Sequence, residues 1–325
     1  MAIESYLVPS ETIHDSASEL GVAPDVLMRD FYSIGSPSPN IKTLVVGDMA
    51  NNLTGQMSHL LPNLAARLHL PPEYRFNTGL LGSRTFREQL GHFATTGTEF
   101  IADANRTLTN MYAELDMVAR GDADRDRAEL ATGCATQAHI GPDRTIITSV
   151  GDVYAWVNGD RVAGQEKEID VLKDKLITDL LEGWGKSEDR MGVLTRYVDG
   201  FRVATQLGVS TTYKLVQVLH GVDSTVRQEI YSAIDRIVTP WQIRTLQNNQ
   251  SSYYKLRYGA IDGTETPEEF IETREISTSE IDSIVLGTDG TKPLGDRVVS
   301  RSDLVAANPK YGEQAIVVWQ RDREG

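Results

Sequence analysis

The chain has 325 residues, of which 40% are hydrophobic and 7% aromatic, and this composition is typical of a soluble globular protein with a sizeable core. Acidic residues outnumber basic ones by 46 to 32, for a formal net charge of −14, which opposes non-specific binding to nucleic acid or to an anionic membrane. The single cysteine, Cys134, excludes an internal disulfide and a multi-cysteine zinc site, and its apolar neighbours predict a buried side chain. Neither a secretion signal nor an apolar run of the roughly 20 residues needed for a membrane span is present, so we predict a cytoplasmic location.

The first half of the chain alternates between strand and helix patterns. An apolar strand is predicted from Thr43 to Asp48, and apolar residues at helical spacing then predict a helix over residues 55–70. One or two amphipathic helices are predicted over residues 87–120. Runs of β-branched and aromatic residues predict three further strands, at 135–140, 145–150 and 153–157. Gly151 and Asp152 predict a β-hairpin turn between the last two of these strands, and Asn158-Gly159 predicts the next reversal.

The second half begins with a long helical pattern and then returns to strands. Helical spacing persists from residue 166 to about residue 248, and strand patterns follow at 253–259, 281–290 and 313–321. An α+β layer protein that carries a helical insert is the simplest account of this order. We therefore predict a single domain over residues 1–325 with an insert at about 166–248.

Four aspartates stand at or beside the ends of predicted strands: Asp30, Asp48, Asp152 and Asp289. Acids at strand ends can converge on one edge of a sheet, but repulsion among several carboxylates raises their pKa values unless cations neutralise them. Hard oxygen ligands favour Mg²⁺ or Mn²⁺ over zinc or copper. Each acid taken alone is better explained as a turn cap, and it is the order of all four that favours a shared metal site.

Five segments carry a resemblance to a known family when they are read in chain order. They are VVGDMANNLTG at 45–55, ATGCATQAHIGPDRTIITSVGDVYAWV at 131–157, RYGAIDGTETPEEF at 257–270, IDSIVLGTDG at 281–290 and EQAIVVWQRDR at 313–323. In that order they resemble blocks of the metal-dependent protein phosphatases, the type 2C serine/threonine phosphatases. The resemblance implies a four-layer α-β-β-α sandwich, in which two antiparallel sheets pack face to face and helices cover them.

The same resemblance implies a pair of Mn²⁺ or Mg²⁺ ions that activate a water for attack on phosphorus. It implies catalytic and metal-binding roles for Asp30, for Asp48 as the bridging acid, and for Asp289. It further implies that Met49 offers its backbone carbonyl, that Asp152 helps hold a third, weaker ion, and that Glu313 reaches the metal near the C-terminus. A phosphoprotein substrate and a protein kinase counterpart are implied as partners, with neither nucleic acid nor membrane.

The sequence also departs from the family pattern at positions that matter for catalysis. Asp25 stands where the family has a phosphate-binding arginine, and Arg29, the nearest guanidinium in sequence, should point away from the neighbouring acid. Residues 51–53 replace the family's glycines and histidine, and His59 on the next predicted helix is better explained as an ordinary helix residue. Near the C-terminus, Gly312-Glu313 stands where the family has Asp-Asn or Asp-Asp before its final strand. Losing a bidentate phosphate clamp should weaken substrate binding.

Three functions follow from these matches and departures. The retained aspartates favour an active Mn²⁺- or Mg²⁺-dependent phosphatase for phosphoserine and phosphothreonine in proteins. The lost arginine and the altered C-terminal pair favour a catalytically weak or inactive relative that serves as a regulatory or binding module. A hydrolase of small phosphorylated metabolites is a third possibility, because the helical insert could reshape the substrate cleft.

Overall fold

The computed structural model describes residues 2–9, 23–50, 78–114, 131–164, 258–288 and 314–321, together with a few isolated positions. Proximity of Cα atoms divides the chain into two compact units, residues 1–165 with 259–325 and residues 166–258. Every helix and strand discussed below belongs to the first unit. The helix predicted over residues 55–70 and nearly all of the predicted insert lie outside the described residues, so the single-domain organisation stays a prediction.

The described residues form ten strands, two α-helices and four short 3₁₀ turns. The strands are β1 Ala2–Val8, β2 Phe31–Ser38, β3 Ile41–Ala50, β4 Thr132–Ile140, β5 Arg144–Val150, β6 Tyr154–Val157, β7 Asp160–Ala163, β8 Ile271–Ser277, β9 Ser283–Gly287 and β10 Gln314–Gln320. The helices are α1 Thr78–Gln89 and α2 Gly97–Glu114, and the 3₁₀ turns are Pro24–Leu27, Leu90–His92, Glu268–Phe270 and Thr278–Glu280.

The ten strands pair into two five-stranded sheets in which every pairing is antiparallel. The first sheet has the order β2-β3-β4-β5-β8, and the second has the order β1-β10-β9-β6-β7. The predicted α+β class and the two antiparallel sheets are therefore confirmed. Within the described ranges, no helix is both long and apolar enough to span a membrane.

Side chains of β3 sort into two cores because successive residues of a strand point to opposite faces. Leu44 and Val46 join the apolar core that the two sheets share, whereas Val45 and Met49 join the core beneath α1 and α2. The second sheet also carries a buried apolar cluster on its other face, which includes Trp156. The two sheets and the helical layer on the first sheet match the predicted sandwich, and a helical layer on the second sheet stays a prediction.

The predicted hairpin at Gly151 and Asp152 is wrong, since the chain changes sheets there. Strand β5 already pairs with β4 along one edge and with β8 along the other, so no edge is left for β6. Strand β6 instead pairs with β7 and β9 in the second sheet. Gly151 has a φ of +79°, and a Cβ atom there would lie 2.2 Å from the Sγ atom of Cys134. Glycine is therefore required at this corner for both its backbone conformation and the space.

The Asn158-Gly159 reversal is confirmed as the turn between β6 and β7. Asn158 has a φ of +53° and Gly159 a φ of +91°, and positive φ at both central residues characterises the tight type I′ turn. The Asn158 side chain also donates to the carbonyl of Glu280 at 2.8 Å and accepts from the amide of Asp282 at 2.7 Å. These contacts fasten the turn to the loop that leads into β9.

Helix α1 begins earlier than predicted and is tightly seated on β2. The predicted helical region, residues 87–120, is divided into two helices, but the first starts at Thr78. Ser33 of β2 donates its hydroxyl to the carbonyl of Arg87 at 2.8 Å and accepts from the amide of Gly91 at 2.8 Å. Gly35 and Gly91 let the two backbones approach, since a Cβ atom on Gly35 would lie 2.0 Å from the Gly91 carbonyl oxygen. This junction fixes the C-terminal half of α1, including Arg87.

Candidate active site

Asp30 and Asp48 lie at adjacent positions on one end of the first sheet. Phe31 at the start of β2 pairs with Gly47 of β3, and one further step of this antiparallel register brings Asp30 opposite Asp48. Both lie on the face whose other residues, such as Val46, line the core between the sheets. Asp30 is 3% exposed and Asp48 is half-buried. The fold therefore brings these two predicted site residues to one edge of the inter-sheet space.

Thr288 ties Asp30 to the second sheet. Its hydroxyl donates to Oδ2 of Asp30 at 2.6 Å and accepts from the backbone amide of Ala315 at 3.1 Å. The Thr288 amide in turn donates to the Ala315 carbonyl at 3.2 Å, and Thr288 is fully buried. A buried carboxylate needs such donors because desolvation disfavours its charged form. The bond holds the Asp30 carboxylate in one orientation at the end of the sandwich.

Asp152 belongs to the corner that closes the same end. The Cα partner of Asp48 is Cys134 on β4, and Cys134 lies directly against Gly151. Cys134 is buried, as predicted. The half-buried Asp152 follows Gly151 in the chain. Asp48, Cys134 and the Gly151-Asp152 corner are therefore successive neighbours across the end of the first sheet.

Met49 is placed with its side chain away from these acids. It is fully buried in the core beneath the helices, where Gly82 of α1 and Gly133 of β4 leave room for it. A Cβ atom on Gly133 would lie 2.3 Å from the Met49 sulfur and 2.8 Å from the Asp48 carbonyl oxygen. A methionine at this position is compatible with the predicted backbone ligand, since its side chain packs on the opposite face of the sheet.

Two of the predicted ligands, Asp289 and Glu313, lie outside the described residues. In the part of the chain that the structure describes, no group of three or more His, Cys, Asp or Glu side chains gathers as a metal site. The carboxylates of Asp30 and Asp48 are oxygen donors of the kind that Mg²⁺ and Mn²⁺ prefer. They fit such an ion as part of a ligand set, and Asp289 would extend the set because it follows Thr288 directly in the chain.

Sequence reasoning missed Thr288 and two arginines of α1. Thr288 had a sequence signal, because it is the hydroxyl residue of the Thr-Asp-Gly segment, but its bond to Asp30 joins residues 258 positions apart. Arg84 and Arg87 are three residues apart and so share one face of α1. This spacing is the only feature of the two arginines that the sequence shows. Many solvent-exposed helix faces share it, so it does not indicate a functional site.

Arg87 stands next to the residue that replaces the family's arginine. Its Nη1 atom lies 3.9 Å from Oδ2 of Asp25, which is beyond hydrogen-bond distance. Burial lowers the pKa of Arg87, and the negative charge of Asp25 opposes this effect only in part. Because a guanidinium keeps its proton in proteins, the lowered pKa reflects the free-energy cost of burying its charge.

Comparisons with known proteins give likenesses of structure only. No protein family matches the sequence, and no curated protein resembles it. A bacterial serine phosphatase shares 11% identity at a TM-score of 0.45, over 98% of this chain and 96% of that one. The serine/threonine phosphatase Stp1 from Staphylococcus aureus shares 9% at 0.42, over 99% and 95%. RsbX in complex with magnesium shares 9% at 0.40, over 98% and 94%.

Proposed function

We propose that this chain is a divalent-metal-dependent phosphatase that hydrolyses phosphoserine and phosphothreonine in proteins. The observation that carries the proposal is the placement of Asp30 and Asp48 at one edge of the inter-sheet space, with Asp30 held by the hydroxyl of Thr288. Asp289, a third acid, follows Thr288 directly in the sequence. The order of these acids in the sequence agrees with the resemblance to the type 2C phosphatases.

The residues of this chain would act by holding charge in fixed positions. Asp30, Asp48 and Asp289 would hold a pair of Mg²⁺ or Mn²⁺ ions, with the backbone carbonyl of Met49 and the carboxylate of Glu313 as further ligands. When bound, such a pair lowers the pKa of a water and balances charge on the phosphoryl oxygens. Thr288 keeps the Asp30 carboxylate oriented, which avoids reorganisation when the charge on the phosphoryl group develops.

The substrate assignment follows the resemblance and the net charge. We propose a phosphoprotein substrate whose phosphate is installed by a protein kinase, in keeping with serine/threonine specificity. The net charge of −14 disfavours nucleic acid as a competing polyanionic partner.

A second candidate function is a regulatory or binding module with weak or no hydrolysis. The observation that favours it is Asp25, a carboxylate that stands where the type 2C pattern has an arginine and lies near Arg87. A carboxylate at a phosphate clamp repels the substrate, so binding of metal would survive while turnover would be low.

The two functions are separated by measuring metal binding and hydrolysis on the same purified chain. We expect Mn²⁺- or Mg²⁺-dependent release of phosphate from phosphothreonine and phosphoserine peptides, no release with a chelator, and little from phosphotyrosine peptides. Asp48→Asn should lower Mn²⁺ affinity and turnover at least about 100-fold. Loss of an outer-shell partner alone costs about 10–100-fold, and Asp48 would be a direct ligand. Asp143→Asn is the matched control, because Asp143 is an exposed aspartate before β5.

The two measurements together distinguish the phosphatase from the regulatory module. Mn²⁺ binding that depends on Asp48 without any hydrolysis would favour the regulatory module. If Asp48→Asn binds Mn²⁺ as the unaltered chain does, the metal site is wrong and both candidates lose their basis.

A further inference from the structure

A cavity of about 210 Å³ lies between α1 and the 3₁₀ turn that precedes Asp30. One wall is a single face of α1, formed by residues at helical spacing: Leu80, Ser83, Arg84, Arg87 and Glu88. The other wall is formed by Asp25 and Met28. Two guanidinium groups therefore line the cavity. Met28 in its other wall is only two residues before the buried Asp30.

The acids at the cavity offset the cost of burying the Arg87 charge only in part. Asp25 is 3.9 Å away and its side chain is 54% exposed, against 29% for Arg87. Glu88 is engaged by Arg84, with Oε1 3.4 Å from Nε, and its side chain is 60% exposed. Exposed carboxylates at such distances are well screened by solvent and contribute little.

Arg87, which lines the cavity, carries a buried donor: among the described residues, its Nε atom has no hydrogen-bond partner. A buried donor without a partner costs free energy, and more so on a charged group. Native structures satisfy most buried polar groups with protein or solvent, so Arg87 keeps hydrogen-bonding capacity that the described residues do not use.

We infer that this cavity is a phosphate-binding subsite in which Arg87 is the principal donor and Arg84 the second. A planar guanidinium offers parallel N–H donors that match two oxygens of a phosphate, so one arginine binds it through two bonds. Ser83 adds a hydroxyl that now donates to the Met28 carbonyl at 3.3 Å, a long bond that a phosphate oxygen could replace. In this way α1 would supply a phosphate-binding arginine, whose place in the type 2C pattern is held here by Asp25 on the preceding segment.

The phosphate could come from two sources, the phosphoryl group of the substrate or a separate phosphate ligand. Binding of inorganic phosphate to the full chain in the presence of a chelator tests the subsite and does not depend on the proposed hydrolysis. Kinetics with a small aryl phosphate tests whether the subsite serves the substrate, and this second assay rests on the proposed function.

We expect inorganic phosphate to bind the chelator-treated chain in calorimetry or NMR titration. Arg87→Met should weaken binding at least about tenfold, since hydrogen bonds to a charged group are worth 1.5–3 kcal/mol and 1.4 kcal/mol is tenfold. Asp25→Asn should strengthen it, because a competing carboxylate is removed. Arg106→Met is the control, since Arg106 is exposed on α2 and pairs with Asp103. Circular dichroism would confirm that each variant is folded.

The opposite effects of Asp25→Asn and Arg87→Met keep the inference testable if one variant fails to fold. Equal phosphate affinity in the unaltered chain and either folded variant, or no binding at all, would overturn it. If phosphate binding depends on Arg87, a raised KM for the aryl phosphate with little change in kcat assigns the subsite to the substrate. An unchanged KM in that case assigns it to a separate phosphate ligand.

Discussion

The hydroxyl of Thr288 donates a 2.6 Å hydrogen bond to the carboxylate of Asp30. Asp30 precedes β2 of the first sheet, whereas Thr288 follows β9 of the second, so this bond joins the two sheets at one end. Both residues are buried. Because Asp30 is a predicted metal ligand, removal of this bond should affect both stability and metal binding.

Thr288→Val tests this bond, since valine has nearly the same shape but no hydroxyl. It removes the donor to Asp30 and the acceptor of the Ala315 amide. We expect a loss of about 1–3 kcal/mol in the free energy of unfolding, because a buried carboxylate loses one hydrogen-bond donor. Urea denaturation measures this loss, and calorimetry with Mn²⁺ should detect weaker binding. Thr288→Ser keeps the hydroxyl and should recover most of both, so equal behaviour of the two variants would contradict the role.

Asp152→Asn tests whether the corner acid binds an ion or only shapes the turn. Asparagine forms the same local hydrogen bonds as aspartate, so the corner and the thermal stability should hardly change. If Asp152 helps hold a third, weaker ion, the Mn²⁺ concentration for half-maximal hydrolysis of an aryl phosphate should rise several-fold, since an ion with few protein ligands depends strongly on each charge. Asp160→Asn, at the exposed first position of β7, is the control. A metal titration of Asp152→Asn that overlays the unaltered curve would reduce Asp152 to a turn residue.

The sequence was most informative where local pattern and tertiary structure agree. The apolar run at 43–48, the three strands from residue 135 and the Asn158-Gly159 turn were all predicted, because period-two alternation and turn residues act over a few positions. The location of Asp30 directly before a strand followed from the same patterns, whereas β3 continues two residues past Asp48, to Ala50.

The errors arose where distant residues decide the structure. Gly151 and Asp152 have hairpin chemistry, yet β8, more than 100 residues later, occupies the edge of β5 that a hairpin would need. The start of α1 was missed because Gly79 and Gly82 lower helix propensity, although Gly82 is needed where Met49 packs. The proximity of Arg87 to Asp25 could not be predicted from the sequence, since it depends on the docking of α1 on β2.

Gly35→Ala tests the junction between β2 and the end of α1. Alanine in place of glycine gains roughly 0.4–1 kcal/mol from the unfolded chain, but here its Cβ atom would lie 2.0 Å from the Gly91 carbonyl oxygen. Because that oxygen belongs to a backbone rather than to a flexible side chain, we expect the clash to dominate, with a net loss of about 1–3 kcal/mol. Ser36→Ala, at the exposed next position, should change stability by no more than about 0.5 kcal/mol. A stabilised Gly35→Ala chain would contradict the close contact.

His139 should make stability depend on pH. It is buried on β4, its Nδ1 atom lies 3.2 Å from the Thr43 hydroxyl oxygen, and burial lowers its pKa from the ordinary 6.5. Above that value the imidazole is neutral in both the folded and the unfolded chain. Below it the unfolded chain takes up a proton first, so the free energy of unfolding should fall with decreasing pH until the folded pKa is passed.

His139→Gln removes this titration while keeping a side chain that can hydrogen-bond to Thr43. The carboxylates titrate in both chains, so the informative quantity is the difference in unfolding free energy between the unaltered chain and the variant. Urea denaturation from pH 8 to pH 5 should give a constant difference above about pH 6.5, the unfolded pKa of histidine. Below it the unaltered chain should lose stability relative to the variant, because only the unaltered chain has an imidazole that takes up its proton more readily after unfolding. A difference that stays flat across the whole range would mean that His139 takes up its proton in the folded protein as readily as in the unfolded one, and a difference that moves in favour of the unaltered chain would mean that the folded protein takes it up more readily.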